Sequence, residues 1–275
     1  MKSIVLKDAT FIYPNDHIAN EELNLKINRG ERVAIVGQNG AGKTTAVKLI
    51  NGLNKPTHGD VFIDGKNTKD KTVAQISAYV GYVFQNPDDQ VFNNSVEDEI
   101  EYTLRYLKLP SEEIERRVKR AVELTGIEDF LDMKPFDVPF AIRKFVTIAV
   151  ILALETPYLI LDEPTAGQDL KGINKLSKLL DVLEEEEKTV ITISHDMEFV
   201  ADNFTRVVAM ANKKIIADDI PRNIFWNESV VAASKIKKPE IGELAKEVGI
   251  EEKIIYRDEL VNKISCSSKP HTNIK

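Results

Sequence analysis

A single cysteine, Cys266, occurs among the 275 residues of the chain. One thiol cannot close an internal disulfide, so packing must hold the fold, and a reducing compartment suits it. Long apolar runs are missing as well. The most apolar stretch, residues 146–154, is interrupted by Glu155. It falls well short of the roughly 18 apolar residues a spanning helix needs. Action at a membrane would therefore require another chain to supply the span. Residues 1–13 alternate apolar and polar side chains and lack the apolar centre of a signal peptide. Positive charge is not in excess: 37 Lys and Arg stand against 44 Asp and Glu, a net charge of −7. A nucleic-acid surface normally leaves a basic footprint, so no nucleic-acid partner is expected. There is no internal repeat and no low-complexity tract.

What remains is a composition that builds a packed core. Length allows one or two domains. Strand patterns fill the first third: residues 3–13 and 23–27 alternate, 32–36 is an apolar strand, and 60–64 runs into the Asp64-Gly65 turn. A helix is expected from Lys43 to about Leu53, stopped by Gly52 and Pro56. The middle third, from Asn94 to about Leu154, reads as helical. Ser95 is expected to cap one helix, with Glu97, Asp98 and Glu99 in its first turn, and Ser111 to cap the next, which ends near Gly126. Beyond it, strands 158–161, 189–194 and 206–210 alternate with helices. One of these carries its apolar face at Ile173, Leu176, Leu179, Leu180 and Leu183, and a shorter one covers 196–203. Strand–helix alternation implies a parallel sheet. After about Asn227 a small polar helical tail is expected.

Three strand ends carry the chemistry. Gly37-Gln38-Asn39-Gly40-Ala41-Gly42-Lys43-Thr44 fits the P-loop pattern in full, between an expected strand and an expected helix. Its glycines let backbone N–H groups turn inward around phosphates, at the positive end of the following helix. Lys43 would neutralise the β- and γ-phosphates, and the Thr44 hydroxyl would bind Mg²⁺. Residues 158–161 form an apolar strand ending in Asp162 and Glu163. Asp162 suits the Mg²⁺ shell. Glu163 suits proton abstraction from an attacking water. His195 follows the 189–194 strand, where an imidazole could help place that water. No Asn-Lys-x-Asp segment is present to read guanine, which sets a GTPase aside.

These motifs resemble those of the ATP-binding cassette (ABC) ATPases. The matching residues are the 37–44 loop, Gln85 in Phe84-Gln85-Asn86-Pro87, Asp162-Glu163-Pro164-Thr165, Gly167-Gln168-Asp169 and Ser194-His195-Asp196, in the family's order. The resemblance covers about residues 1–225. It implies an α/β P-loop NTPase core with an antiparallel β subdomain, a helical subdomain at about 90–154, and a small helical extension over 226–275. It also implies ATP and Mg²⁺ as cofactors. Tyr13 would stack on adenine, and Thr45 would join the P-loop residues in holding nucleotide. Gln85 would sense Mg²⁺, nucleotide and a membrane partner. Asp169 would lie in the loop that crosses between subunits. The implied catalytic set is Glu163, His195, Gln85 and Lys43, and the implied metal set Thr44, Gln85 and Asp162.

A narrower resemblance joins Phe84-Gln85-Asn86-Pro87-Asp88-Asp89-Gln90 and the tail Pro239-Glu240-Ile241-Gly242-Glu243-Leu244-Ala245 to energy-coupling factor and cobalt-type transporter ATPases. It implies peripheral work at the cytoplasmic face of a membrane. The partners would be an integral membrane coupling subunit and a substrate-binding membrane subunit, and the cargo a vitamin or transition-metal ion. One element departs from the family. Where it carries Leu-Ser-Gly-Gly-Gln, this chain has Val138-Pro139-Phe140-Ala141-Ile142. In the family those serine and glycine groups reach the γ-phosphate held by the opposite subunit. A homodimer would then have two damaged sites, so a heterodimer with a paralogous ATPase is expected. A homodimeric cobalt/nickel-type ATPase, a non-transport soluble cassette and a regulatory subunit without turnover stay as alternatives.

Overall fold

The computed structural model describes residues 2–250 and 252–267, with the side chains of Cys266 and Ser267 outside the description. The strands are β1 (Ser3–Ile12), β2 (Ile18–Asn28), β3 (Arg32–Val36), β4 (His58–Ile63), β5 (Lys66–Asn67), β6 (Val80–Val83), β7 (Tyr158–Asp162), β8 (Thr189–Ile193), β9 (Arg206–Ala211) and β10 (Lys214–Asp219). The helices are α1 (Lys43–Ile50), α2 (Val73–Ser77), α3 (Val96–Tyr106), α4 (Ser111–Thr125), α5 (Phe140–Ala153), α6 (Leu170–Glu185), α7 (Met197–Asn203), α8 (Pro221–Phe225), α9 (Glu228–Ser234), α10 (Glu240–Glu247) and α11 (Arg257–Ser267).

Two sheets result. The first is antiparallel, in the order β2-β1-β4-β5. The second has the order β10-β9-β3-β8-β7-β6 and is parallel except for the edge strand β10. Period-two alternation explains how the parallel sheet serves two cores. Val33 and Ile35 of β3, with Tyr158 and Ile160 of β7, face a core shared with the antiparallel sheet and α1. Ala34 and Val36, with Leu159 and Leu161, face the helices on the other side. Strands buried on both faces read as continuous apolar runs, which is why β3, β7 and β8 were plain in the sequence.

Several expectations need correcting. Ser111 does not cap α4: Pro110 occupies the N-cap, no side chain caps that end, and Ser111 lies in the first turn. Pro110 presets the φ at this entry, so the serine is displaced one position into the helix. Ser95 does cap α3, accepting from the Asp98 N–H at 3.0 Å, and Gly126 ends α4 in the left-handed region. Helix α1 stops at Ile50, three residues before Leu53, with Asn51 as C-cap. Strand β2 begins at Ile18 rather than Leu23, and β6 and β10 were not anticipated. Strand β6 is four residues long and contains Gly81, which conceals it. The glycine has a packing reason: a Cβ there would stand 2.3 Å from the Ile151 side chain, so α5 lies directly on this strand.

Beyond α8 the chain does two things. Val230 and Ile236 join the large helical-side core, and the Ser234 carbonyl accepts the Gln38 N–H at 2.8 Å. Ala245, Ile254 and Leu260 form a small cluster of their own between α10 and α11.

Candidate functional site

The C-terminal ends of β3, β7 and β8 open onto one cleft of about 220 Å³, the place where parallel α/β sheets hold ligands. After β3 the chain turns at Gly37, whose φ of +145° and contact to the Met210 carbonyl leave no room for a Cβ. Gly42 closes the loop at φ +99°, where a Cβ would lie 2.5 Å from Ala19 O and Asn20 Nδ2. Buried Asn20 donates to the Gly42 carbonyl at 3.0 Å, so β2 braces the loop. Gly37, Gln38 and Ala41 build the loop from behind. Asn39, Gly40, Gly42, Lys43, Thr44 and Thr45 line the cleft. Lys43 is buried and folds back over the loop, donating to the Gly37 carbonyl at 2.6 Å and the Gln38 carbonyl at 3.1 Å. Burial pulls its pKa down, and the carboxylates of Glu163 and Asp162 oppose that fall.

Asp162 ends β7 and is 1% exposed. Its Oδ2 accepts the Tyr82 hydroxyl at 2.8 Å, while Oδ1 is buried without any partner. An orphaned carboxylate oxygen facing the P-loop cleft is the donor a hard cation needs, and Mg²⁺ is typically held by one or two carboxylates together with substrate phosphates. Among the described residues no cluster of three or more His, Cys, Asp or Glu forms a metal cage, in keeping with that mode. The residues therefore fit Mg²⁺.

Glu163 adopts φ +50°, a strained conformation for a non-glycine residue. Two contacts to β8 and its end hold it there. The Glu163 N–H donates to Ile193 O at 2.9 Å, and Glu163 Oε2 accepts the His195 N–H at 3.1 Å. Burial pushes its pKa up to about 7, opposed mainly by the His195 N–H and the Lys43 charge. A carboxyl tuned to that range suits a general base. His195 Nε2 lies 3.4 Å from both Glu163 Oε1 and Lys43 Nζ. Burial and Lys43 lower the His195 pKa, which favours the neutral ring.

Of the remaining expected residues, Tyr13 and Gln85 line the same cleft and Asp169 does not. The Tyr13 hydroxyl lies 3.4 Å from Thr45 Oγ1. The 85–90 loop is set by Asn86, which accepts the Asp88 N–H at 3.2 Å, and by Gln90, which accepts the Phe84 N–H at 3.0 Å. Asp169 accepts the Gly172 N–H at 2.8 Å as the N-cap of α6. Sequence reasoning passed over His17 and Lys144. The His17 ring is nearly parallel to Tyr13 at 6.3 Å between centroids, and its place four residues on, across the β1–β2 turn, was the available signal. Lys144, fully buried on α5, donates to the Phe84 carbonyl at 3.3 Å and to the Gln85 carbonyl. Nothing in the sequence distinguished it from a surface lysine.

Residues 138–142, where the resemblance leads one to expect a different turn, lie at the start of α5. Pro139 is its N-cap, and no side chain caps the helix. The Phe140 ring is 43% exposed and packs against Gly167. Gln168 donates to the Ala141 carbonyl at 2.9 Å, which ties the 166–169 loop to this turn.

Comparison with known proteins agrees with this geometry. Residues 20–166 match the ABC transporter family. An energy-coupling factor transporter ATP-binding protein, EcfA, of Methanocaldococcus jannaschii is 36% identical over 246 residues, covering 89% of this chain and 88% of that protein. A putative ABC transporter ATP-binding protein of Pyrococcus furiosus is 37% identical, covering 90% of this chain and 94% of its own length. Among solved structures, CbiO1 of Clostridium perfringens, described as part of the cbiONQ transporter complex, superposes with a TM-score of 0.77. It is 33% identical and covers 90% of this chain and all of its own. A dimeric ATP-binding cassette in a post-hydrolysis state with ADP and Pi superposes at 0.73, is 27% identical, and covers 79% of this chain and 98% of its own. By these likenesses the chain is a member of the ABC transporter family, an ATP-binding cassette with ATPase activity.

Proposed function

We propose that this chain is one of two unlike ATPase subunits of an energy-coupling-factor-type importer. It works as a peripheral subunit at the cytoplasmic face of the membrane, and its ATP hydrolysis drives uptake of a vitamin or transition-metal ion. The observation that carries the asymmetry is the start of α5, where Pro139 and Phe140 stand in place of the serine and glycine that touch a partner's γ-phosphate. Pro139 has neither hydroxyl nor N–H, and the Phe140 ring occupies space a phosphate would need. In the same chain, Lys43, Asp162, Glu163 and His195 are all in place around one cleft. A partner with an intact signature turn would complete the site built on this chain's P-loop. The site built on the partner's P-loop and this chain's residues 138–142 would hold ATP and turn it over poorly.

In the working site, backbone N–H groups of residues 39–44 and the Lys43 ammonium grip the phosphates. Thr44, Gln85 and Asp162 would hold Mg²⁺, which supplies charge neutralisation on the phosphate oxygens. Glu163 takes a proton from the attacking water, and His195 orients that water toward the γ-phosphate. Tyr13 stacks on the adenine. Loss of the γ-phosphate loosens the dimer, and the Gln85 loop passes the movement on.

The surface next to that loop is apolar. Phe92, Tyr102, Tyr106 and Leu107 are all more than 45% exposed, and Phe92 and Tyr102 meet edge to face at 4.9 Å. A contiguous exposed aromatic surface of this kind marks a partner contact. No helix among the described residues is long and apolar enough to cross a membrane, so the span falls to that partner. The tagged chain, extracted in mild detergent from its own cells, should bring down one paralogous cassette and one integral membrane protein. Tyr106→Glu should release the membrane protein and spare the paralogue. Recovery with ribosomes or DNA, or as a pure homo-oligomer, would sink the reading.

A further inference from the structure

Lys144 is 0% exposed, and its neighbours on α5, Phe145, Val146 and Ile148, are core residues. Its Nζ has the Phe84 and Gln85 carbonyls as acceptors. Helix α5 is held against that loop from both sides. Gly81 lets Ile151 press onto β6, and Arg143 reaches from α5 to Asp88 at 2.5 Å and to the Phe136 and Val138 carbonyls. Burial lowers the Lys144 pKa to about 8, and the carboxylates of Asp162 and Glu163 oppose that fall, so the ammonium is mostly charged at pH 7. Burying a cation is costly, and an apolar side chain of similar volume would pack here at least as well. A stability role therefore gives no reason for a charge at this point.

We propose that Lys144 is a positioning residue of the nucleotide site. Its buried ammonium fixes the backbone of the Gln85 loop to α5 and, at pH 7, sets a positive charge beside the acids of the same site. Divalent metal is then held only weakly until nucleotide phosphates arrive. The proposal rests on the reading that Asp162, Thr44 and Gln85 hold Mg²⁺.

The test uses the full chain at pH 7 with Mn²⁺ as the probe, read by electron paramagnetic resonance without nucleotide and again with ADP. A unit charge acting on a divalent ion in a partly buried site outweighs one neutral amide ligand, so Lys144→Met should tighten Mn²⁺ binding without nucleotide about tenfold. Lys144→Arg keeps the charge and should stay within about twofold of the parent. Hydrogen exchange of the 84–90 amides should speed up in Lys144→Met and not in Lys144→Arg. Lys144→Gln, a second uncharged variant, gives the same reading should Lys144→Met fold poorly. Unchanged or weaker Mn²⁺ binding in the uncharged variants would overturn the proposal. If Asp162→Asn leaves Mn²⁺ binding with ADP intact, the metal-site reading itself fails and takes this proposal with it. Metal binding that needs Asp162 but ignores Lys144 overturns this proposal alone.

Discussion

Glu163→Gln should abolish turnover at the site built on this chain's P-loop while leaving ATP binding in place. The carboxylate at this position is held in a left-handed backbone conformation by Ile193 and His195, so the amide will occupy the same place. Removing a positioned general base costs about 10²–10⁴ in rate. With its water no longer activated, the variant should accumulate as a closed, ATP-loaded dimer, visible by size-exclusion chromatography with ATP and Mg²⁺. The nucleotide-free protein offers a second readout. Its Glu163 keeps its proton up to about pH 7, whereas the ordinary value is 4.5. The folded form therefore binds the proton more tightly than the unfolded form. The stability this gives is full below the ordinary value and is lost as pH rises through about 7. Glu163→Gln should accordingly raise the melting temperature without nucleotide by about 2 °C or more at pH 8, and much less at pH 4.5. Full hydrolysis by the variant would show that Glu163 is not the base.

Rebuilding the turn before α5 should have an effect of similar size in the opposite direction. The replacement is Pro139→Ser, Phe140→Gly, Ala141→Gly and Ile142→Gln together. Each restored hydrogen bond to a charged phosphate contributes about 1.5–3 kcal/mol. Two or three of them correspond to a gain of at least about 10² in turnover by a homodimer, at about 1.4 kcal/mol per tenfold. The fold should tolerate the change. Serine is a better N-cap than proline's bare backbone, glycines in the first turn cost little, and the Phe140 ring is half exposed. The Ala141 carbonyl that accepts from Gln168 remains available, because it belongs to the backbone. ATPase assays on the purified variant measure the gain. A variant that folds, binds ATP and turns over no faster would show that residues 138–142 do not limit the reaction.

The strand ends of the site could be read from the sequence because each combines a buried apolar run with residues that have no business at its end unless something binds there. The 37–44 loop, Asp162-Glu163 and His195 all had that form. Elements whose evidence is tertiary were not legible. Strand β6 is short and carries a glycine that only the approach of Ile151 explains. The cap at α4 went to Pro110, whose ring fixes φ at the entry and leaves Ser111 inside the first turn. Lys144 could not be singled out, since sequence does not reveal that a lysine inside an amphipathic helix turns inward to two carbonyls. His17 shares the cleft with Tyr13 only because the β1–β2 turn folds back on itself.

The claim at the centre is that one chain supplies a working catalytic half and a disabled signature half. Steady-state ATP hydrolysis by the purified chain, alone and mixed with its paralogue, measures this directly. Alone, the chain should bind ATP and release phosphate near background. With a paralogue whose own P-loop lysine has been removed, turnover should return and vanish again with Glu163→Gln. Robust turnover by the chain alone would contradict the account.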